Sequence, residues 1–202
     1  MKYYSNKEKF VKGFTLIELL IVLAIAAFLA TLAYSSIHES RENTWVMETG
    51  LNQKELTKAT EAYFRDMGFY PPDVNRGWDP GFERPLPWTP DAGQPGVPSS
   101  GTNCYDCPSG WEAVVAEKWA GPYMTWPKST PFGGRYDYNY WPTAMSRPGG
   151  CTVPKGIYAG AQGYYGDTKG TVPSSAEQKM IDKNFDADGC LNGESQLLLW
   201  RL

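Results

Sequence analysis

Residues 13–20 decide most of what this sequence indicates: Gly13-Phe14-Thr15-Leu16-Ile17-Glu18-Leu19-Leu20. An apolar run continues to about Ala33 and is interrupted by a single carboxylate, Glu18. About 20 mostly apolar residues are long enough to cross a bilayer core as a helix. The segment before Gly13 is basic, with four lysines, Lys2, Lys7, Lys9 and Lys12. The positive-inside rule therefore keeps this leader cytoplasmic and places the rest of the chain beyond the membrane.

A basic leader, a glycine and an apolar run with one early carboxylate resemble the class III signal of type IV pilins and type II secretion pseudopilins. The resemblance implies that a prepilin peptidase cuts between Gly13 and Phe14, that Phe14 is then N-methylated, and that the apolar run is kept. An ordinary secretory signal is the alternative. It would be cut after the apolar region, and the small residues at 24–27 are the one place for such a cut.

Glu18 needs a physical reason, because a carboxylate in hydrocarbon costs several kcal/mol unless it is neutralised or paired. If the chain begins at Phe14, its amino terminus is a cation one helical turn away. The resemblance implies that Glu18 pairs with the terminus of an adjacent subunit and so directs assembly. The alternative is that Glu18 lies near the bilayer interface and is solvated.

Beyond Ala33 the apolar positions recur at helical spacing, which predicts one continuous helix from about Phe14 to Arg65. These positions are Ile37, Trp45, Val46, Leu51, Leu56, Ala59, Ala62, Tyr63 and Phe64. Such a helix measures on the order of 75–80 Å. Gly68 and the Pro71-Pro72 pair are expected to end it. We therefore expect a leader at 1–13, a long helix at 14–66 whose first ~20 residues are transmembrane, and a head at 67–202.

The head has few long periodic segments, which predicts short elements and long loops. Residues 70–110 are rich in Pro and Gly and predict a loop. Helices are expected at Trp111–Trp119, capped by Ser109, and at Ser174–Asn184, capped by Ser174 or Ser175 with Gln178 in a capping box. Strands are expected at 135–141, with period-two alternation, at 156–160 and at 196–200. The expected class is α+β, with the long helix packed on a small antiparallel sheet, the lollipop architecture of pilins.

Two further stretches are similar to the major pseudopilin. Residues 62–71, AYFRDMGFYP, resemble the segment that follows its long helix. Residues 119–136 contain a Gly-Pro-Tyr, a Trp-Pro-Lys and a Pro-Phe-Gly-Gly sequence that resemble the turn before its first head strand. The part of the loop from Val74 to Ser109 lies outside this resemblance.

The segment after the last predicted helix has oxygen-bearing side chains at alternate positions, namely Asp182, Asn184, Asp186 and Asp188, followed by Gly189 and later Glu194. Calcium prefers six to eight hard oxygen ligands in a flexible loop, so the pattern is a candidate Ca²⁺ site. It resembles the start of an EF-hand, and the major pseudopilins also bind calcium in a loop of this region. The alternative is a solvated turn that leads into the last strand.

Four cysteines in an exported chain predict disulfides, and four cysteines allow three pairings. We favour Cys104–Cys107 and Cys151–Cys190; the second is similar to the disulfide-bounded C-terminal region of many pilins. A redox-active Cys104-Tyr-Asp-Cys107 pair and a four-cysteine zinc site are the alternatives.

Other features argue against catalysis and nucleic-acid binding. Loss of the leader changes the formal net charge from −3 to −6 because it removes four lysines and Glu8, so no basic surface for nucleic acid is expected. His38 is the sole histidine, and no Ser/His/Asp or Cys/His set can be assembled around it. Aromatic residues, 14% of the chain, form either a ligand platform or a small core; we expect Trp111, Trp119, Tyr123, Tyr138 and Tyr140 to fill the core.

The sequence therefore predicts a structural subunit that is not an enzyme. It is held in the inner membrane by one span and then polymerises into a homo-oligomeric helical filament in the periplasm or on the cell surface. Its partners would be the prepilin peptidase and an inner-membrane assembly platform. The alternatives are a major or minor pseudopilin of a type II secretion system, and a minor pilin that acts as a membrane-tethered binding module.

Overall fold

The computed structural model describes residues 13–74, 76–87, 104–147, 150–164 and 168–200 of the chain. The leader and the centre of the Pro/Gly-rich segment, residues 88–103, lie outside the described residues. The chain divides into two compact units, Met1–Arg41 and Glu42–Leu202. The elements are α1 (Leu16–Met67), α2 (Trp111–Lys118), β1 (Arg135–Trp141), β2 (Met145–Arg147), β3 (Cys151–Val153), β4 (Gly156–Gln162), α3 (Ser174–Asp182) and β5 (Ser195–Trp200).

Helix α1 is continuous, as predicted, and both of its ends have a local cause. At the start, the Thr15 hydroxyl accepts the N–H of Glu18 at 3.3 Å, while the Glu18 carboxylate accepts the N–H of Thr15 at 2.8 Å. This reciprocal pair is a capping box, which sets the first helical residue at Leu16. At the end, Gly68 adopts φ 81° and donates its N–H to the Phe64 carbonyl at 2.7 Å, as an αL cap does.

The second half of α1 packs into the head, but with a more polar face than the sequence indicated. Three of the predicted apolar contacts are wrong, because Ile37, Leu51 and Phe64 are 61%, 56% and 39% exposed. The buried positions instead follow a helical stripe that includes three polar side chains. They are Val46, Thr49, Gly50, Gln53, Leu56, Ala59, Thr60, Tyr63 and Met67. Two of the three have partners: Gln53 donates to the Ser195 carbonyl at 2.7 Å, and the Thr60 hydroxyl donates to the Leu56 carbonyl at 2.8 Å.

A three-stranded antiparallel sheet, in the order β1-β4-β5, lies against this stripe. Tyr136, Tyr138 and Tyr140 of β1 share one face, and the Tyr136 hydroxyl accepts a hydrogen bond from Asn52 of α1 at 2.8 Å. The central strand, β4, has small side chains opposite two of these rings: Ala159 pairs with Tyr138, and Ala161 pairs with Tyr136. Bulky tyrosines thus fill the space between helix and sheet that the central strand leaves.

The expected alternation of buried and exposed residues in β1 is wrong, because both faces of this strand are covered. Asp137 and Trp141 are buried on the face away from the tyrosines. Asp137 lies 3.6 Å from Arg76, and Trp141 packs with Val153 of the β2–β3 hairpin. That two-stranded hairpin was not predicted from sequence, since each strand has three residues and no apolar alternation.

The two short helices are placed as predicted, but their caps are not. Gly110, with φ 73°, is the N-cap of α2 in place of Ser109. Pro173 is the N-cap of α3, and no side chain caps either helix. The serine that was expected to cap α3 has another partner, since Ser175 donates to Glu42 at 2.8 Å. The capping-box glutamine, Gln178, donates instead to Asp182, four residues later, at 3.0 Å.

The described part of the loop after α1 has no helix or strand and is held by buried carboxylates. Asp79 accepts the backbone N–H groups of residues 81–84, with the shortest, from Phe82, at 2.6 Å. Asp73 accepts the N–H of Tyr140 at 3.0 Å, on the edge of β1 that faces away from β4. These side chains satisfy backbone donors that regular structure would otherwise satisfy. The predicted α+β class, with a long helix packed on an antiparallel sheet, is confirmed.

Replacement of Gly50 tests how closely the head packs on α1. An added Cβ would overlap the ring of Phe185, which lies directly against the helix backbone. Gly→Ala inside a helix usually stabilises by about 1 kcal/mol, but here we expect Gly50→Ala to destabilise by about 1–3 kcal/mol through overpacking. Urea unfolding of the mature chain in detergent measures this. In a Phe185→Ala background the same change should become neutral or stabilising; a stabilising Gly50→Ala in the wild-type background would contradict the packing.

Asp73→Asn tests the energetic effect of the buried carboxylate. Burial raises the pKa of Asp73 from 3.8 to about 6, so the folded state binds the proton more tightly than the unfolded state. The favourable contribution of Asp73 to the free energy of unfolding is therefore fully present below pH ~4, and it is lost as pH rises through ~6. Because asparagine retains the acceptor for Tyr140, the variant should match wild type near pH 4 and exceed it by about 2–3 kcal/mol at pH 7.5. A stability difference that does not vary with pH would contradict this; exposed Glu117→Gln is the control.

Candidate functional site

The Gly13–Phe14 bond lies in an irregular, exposed segment just before α1. The Phe14 side chain is 86% exposed. A Cβ built on Gly13 meets no atom within 4 Å, and its φ is not in the left-handed region. The described part of the fold therefore gives no reason for a glycine at this position. The leader itself, with its four lysines, lies outside the described residues.

Glu18 is engaged within its own chain. Its Oε2 accepts hydrogen bonds from the backbone N–H and from the hydroxyl of Thr15, at 2.8 and 2.7 Å. This places the carboxylate on the first turn of α1, where the positive end of the helix dipole also favours it. In the uncut chain the partner of Glu18 is thus Thr15. Cleavage after Gly13 would create a cationic amine one residue before Thr15, next to the same carboxylate.

The first half of α1 does not pack against any other described part of the chain. Every residue from Gly13 to Arg41 is exposed. By length and composition, α1 is the one helix in the described ranges that is able to cross a membrane. The large exposed apolar side chains of this half are Phe14, Leu16, Ile17, Leu19, Leu20, Ile21, Val22, Leu23, Ile25, Phe28, Leu29, Leu32, Tyr34 and Ile37. A surface of this size requires lipid or other helices around it.

Comparison with known proteins supports a function for this segment. Residues 9–34 match the family model of the prokaryotic N-terminal methylation motif. The match supports a type IV pilin-like chain. It contains Gly13, Phe14 and Glu18 together with the apolar run, and the family that carries the motif is structural rather than enzymatic. No curated protein and no solved structure matches the chain. The head is therefore interpreted from its own geometry.

The acidic loop, residues 182–194 between α3 and β5, holds the candidate Ca²⁺ ligands, and the structure brings only some of them together. Asp182 accepts a hydrogen bond from Gln178 on the exposed side of α3. Asn184 forms the turn, with φ 57°. Glu194 forms ion pairs with Arg76 and Arg147, at 3.2 Å each. The remaining two, Asp186 and Asp188, face the interior.

Glu177 of α3 is a buried acidic residue that contacts this loop. Sequence reasoning missed it. Its Oε1 accepts three consecutive backbone N–H groups, from residues 192, 193 and 194, at 2.8–3.1 Å. The side chain is fully buried, and it therefore fixes the end of the loop from inside. The available signal was its position on α3: Glu177 lies three residues before Met180, on the face of the helix that is buried.

Glu177, Asp186 and Asp188 share one unusual property. Each uses one carboxylate oxygen for backbone N–H groups, and the other oxygen is buried without a partner in the described chain. Burial, then the charge of Asp188, raises the pKa of Asp186 to about 8, and burial raises the pKa of Glu177 to about 6. Clustered buried carboxylates need either protons or a cation to be tolerated.

These unpartnered oxygens fit a hard cation in kind, since Ca²⁺ prefers carboxylate and carbonyl oxygens. In the described residues, no three or more acidic, histidine or cysteine side chains are grouped closely enough to hold a metal ion. Asp186 and Asp188 would therefore need backbone carbonyls of the loop, or a shift of Glu177, to complete a ligand set. The Asn192 side chain is also near, since its Oδ1 accepts the N–H of Glu194 while its Nδ2 has no partner.

Both favoured disulfides are present in the structure. Cys104 pairs with Cys107 across a Cα–Cα distance of 5.4 Å, and Cys151 pairs with Cys190 across 5.9 Å. Cys151–Cys190 ties the β2–β3 hairpin to the acidic loop. The alternative of a four-cysteine zinc site is therefore wrong, because all four sulfurs are in disulfide bonds.

The aromatic residues divide between core and surface. Trp111, Tyr138 and Tyr140 are buried, and Trp119 and Tyr123 pack against the same cluster, as expected. Tyr123 also donates to Asp66 at 2.9 Å, which fixes it to the end of α1. His38, the sole histidine, has the ring of Tyr34 at 6.5 Å as its aromatic neighbour. Two large rings of the head, Tyr105 and Trp200, stay more than half exposed.

Proposed function

We propose that this chain is a structural subunit of a type IV pilus-like filament. A prepilin peptidase would release it by cleavage after Gly13, Phe14 would be N-methylated, and an inner-membrane assembly platform would then add it to the filament. The observation that supports this most is the first half of α1, which lies in the match to the methylation motif and is exposed throughout among the described residues.

Assembly would transfer an apolar helix from lipid to a bundle of identical helices. Such a transfer gains little hydrophobic free energy, because lipid tails are as apolar as leucine. A specific polar contact is therefore needed to favour the filament, and Glu18 supplies one. Its carboxylate is costly in hydrocarbon until a neighbour's amino terminus pairs with it. Before assembly, the Thr15 capping box gives this carboxylate two hydrogen bonds and lowers that cost.

Substitutions at Glu18 separate its charge from its capping role. Glu18→Leu and Glu18→Gln should both leave the cleaved subunit in the membrane and reduce sheared filaments about tenfold or more, the effect of ~1.4 kcal/mol or more per subunit contact. Thr15→Ala removes the capping hydroxyl but keeps the charge, so it should still assemble. Electron microscopy and immunoblotting of sheared cells measure this, with exposed Glu39→Gln as control. Normal filament yield from Glu18→Gln would contradict the role of the charge.

A pseudopilin of a type II secretion system is a variant of the same proposal. The segments at 62–71 and 119–136 that resemble the major pseudopilin favour it. A second candidate function is a membrane-tethered binding module of the minor-pilin kind. The observation that favours this one is the exposure of Tyr105 and Trp200, at 55% and 56%, in a head whose other described aromatic side chains are buried or partly buried.

We also propose that the acidic loop binds Ca²⁺ through Asp186 and Asp188. When bound, the cation would supply charge neutralisation for the unpartnered oxygens. Asp182 and Glu194 have other partners and would act outside the ligand set. Because Asp186 lies beside β5, accepting the N–H of Gln196, neutralising this group would stabilise the attachment of the last strand.

Thermal unfolding of the mature chain in detergent tests the cation proposal. With Ca²⁺ at about 100 times its Kd, the free energy of unfolding should rise by about 2.7 kcal/mol. Asp186→Asn should abolish this response, whereas the matched variant Asp182→Asn should retain it. Mg²⁺ should have a smaller effect, because it demands a stricter octahedral geometry. An unchanged melting temperature on adding Ca²⁺ or a chelator would show that the loop is a turn without a cation.

A further inference from the structure

Five aromatic rings from four distant parts of the chain lie in two adjoining stacks on the head. In the first stack, Phe64 and Tyr70 have ring centroids 4.4 Å apart, and Tyr70 and Trp200 are 6.1 Å apart. In the second, Tyr105 lies parallel to Tyr140 at 5.3 Å, with 25° between the ring planes. Tyr70 and Tyr140 belong to the same core cluster and interact electrostatically, which joins the stacks. We call these five rings the aromatic surface.

The aromatic surface consists of two buried inner rings and three exposed outer rings. Tyr70 and Tyr140 are each 8% exposed, so they are fixed in the core. Phe64, Tyr105 and Trp200 lie in front of them and are 39%, 55% and 56% exposed. Single exposed aromatic rings are common, but three together on rigid neighbours are typical of interaction sites.

The Cys104–Cys107 disulfide explains how the outer ring of the second stack is held. The two cysteines pack against the core cluster that contains Tyr140. The disulfide closes a four-residue ring, and the two residues inside it, Tyr105 and Asp106, are both exposed. The effect of the disulfide is to fix one aromatic ring and one carboxylate side by side on the surface.

The carboxylates that act on the two inner hydroxyls of the aromatic surface are Asp106 and Glu61. Burial first, and then the charges of Asp106 and Glu61, raise the pKa of the Tyr70 hydroxyl; burial and Asp106 raise the pKa of Tyr140. No cationic side chain of the described chain counters these charges at either hydroxyl, whereas Arg65 does so at Tyr123.

Neither Asp106 nor Glu61 forms a hydrogen bond or an ion pair with the part of the chain that the structure describes. Both are exposed. Asp106 acts on the inner hydroxyls of both stacks, and Glu61, three residues before Phe64 on α1, acts on that of Tyr70. Both carboxylates are free to meet a ligand. The faces of aromatic rings carry negative charge density and attract cations, so rings and carboxylates favour the same kind of ligand.

We propose that the aromatic surface binds a basic segment of another protein, with one arginine or lysine side chain on each ring stack. The guanidinium or ammonium group would lie over Trp200 or Tyr105 and pair with Glu61 or Asp106. Two ring stacks and two exposed carboxylates fit two cationic side chains on one segment. Arginine is the better fit, because its planar group stacks on rings while it pairs with a carboxylate. The proposal goes beyond assembly, since it gives the head a partner.

Fluorescence anisotropy tests the proposal with the full mature chain in nanodiscs. The probe is a labelled peptide with two arginines separated by glycine, compared with the same peptide carrying two glutamates. Trp200→Leu and Tyr105→Leu should each weaken binding of the arginine peptide by about two- to fivefold, the usual effect of one exposed cation–π contact. The double variant should weaken it about tenfold. Both side chains are more than half exposed, so these variants keep the fold, which unchanged melting temperatures would verify.

A matched pair of charge variants separates specific binding from attraction to an acidic protein. Asp106→Asn should weaken binding of the arginine peptide by about threefold. Glu117→Gln, an equal charge change at an exposed position of α2, should leave the affinity unchanged within experimental error. Three results would overturn the proposal: no binding of the arginine peptide, equal effects of Asp106→Asn and Glu117→Gln, or no effect of the two ring variants. Preferential binding of a neutral oligosaccharide such as maltohexaose would also overturn it. None of these results depends on whether the chain assembles into filaments.

Discussion

The central constraint on this molecule is an apolar helix surface that its own chain cannot cover. The first half of α1 exposes every residue up to Arg41, and a carboxylate lies on its first turn. Lipid can surround the leucines and isoleucines, but it cannot satisfy Glu18. Self-association of identical helices can do both, provided that a cation is placed at the start of each helix. Cleavage after Gly13 would place one there, so in the proposed function processing and assembly would depend on the same short segment.

The second half of α1, unlike the first, packs against the head. There the helix buries a mixed stripe, and its polar members hold the sheet by direct hydrogen bonds, Gln53 to Ser195 and Asn52 to Tyr136. Gly50 allows the ring of Phe185 to lie against the helix backbone. Buried carboxylates then replace regular structure in the loops: Asp79 holds the segment after α1, and Glu177 holds the acidic loop. The head is therefore stabilised by many side chain–backbone hydrogen bonds around a small aromatic core.

The sequence predicted the parts of this fold that depend on local pattern. The apolar run of α1, the glycine after it, and strands β1, β4 and β5 are determined by neighbours along the chain, so they were recognised. The errors came from tertiary contacts. Leu51 was assigned to the buried face, but Gln53 occupies it because Ser195 offers a partner. Alternation in β1 failed because the unrecognised β2–β3 hairpin covers its second face.

The candidate sites show the same division. Gly13, Phe14 and Glu18 form a linear motif, so they could be read directly from the sequence, and the family match supports that interpretation. The acidic loop was recognised as a candidate site, but its ligands were chosen by spacing, which could not show that Arg76 and Arg147 engage Glu194. Glu177 lies in a helix five residues before that cluster begins and joins it only in the folded chain. The aromatic surface combines residues as far apart as Phe64 and Trp200, and no local pattern predicts it.

The most direct test of the account is to shear the cells that make this chain and to analyse the released fibres by mass spectrometry. The account predicts fibres that contain this chain, with a mature amino terminus at N-methylated Phe14 and with no leader peptide. An absence of the chain from the fibres, together with a membrane-bound form that retains residues 1–13, would contradict it. A chain cut after the apolar run, near residues 24–27, would also contradict it, because the helix on which assembly depends would then be lost.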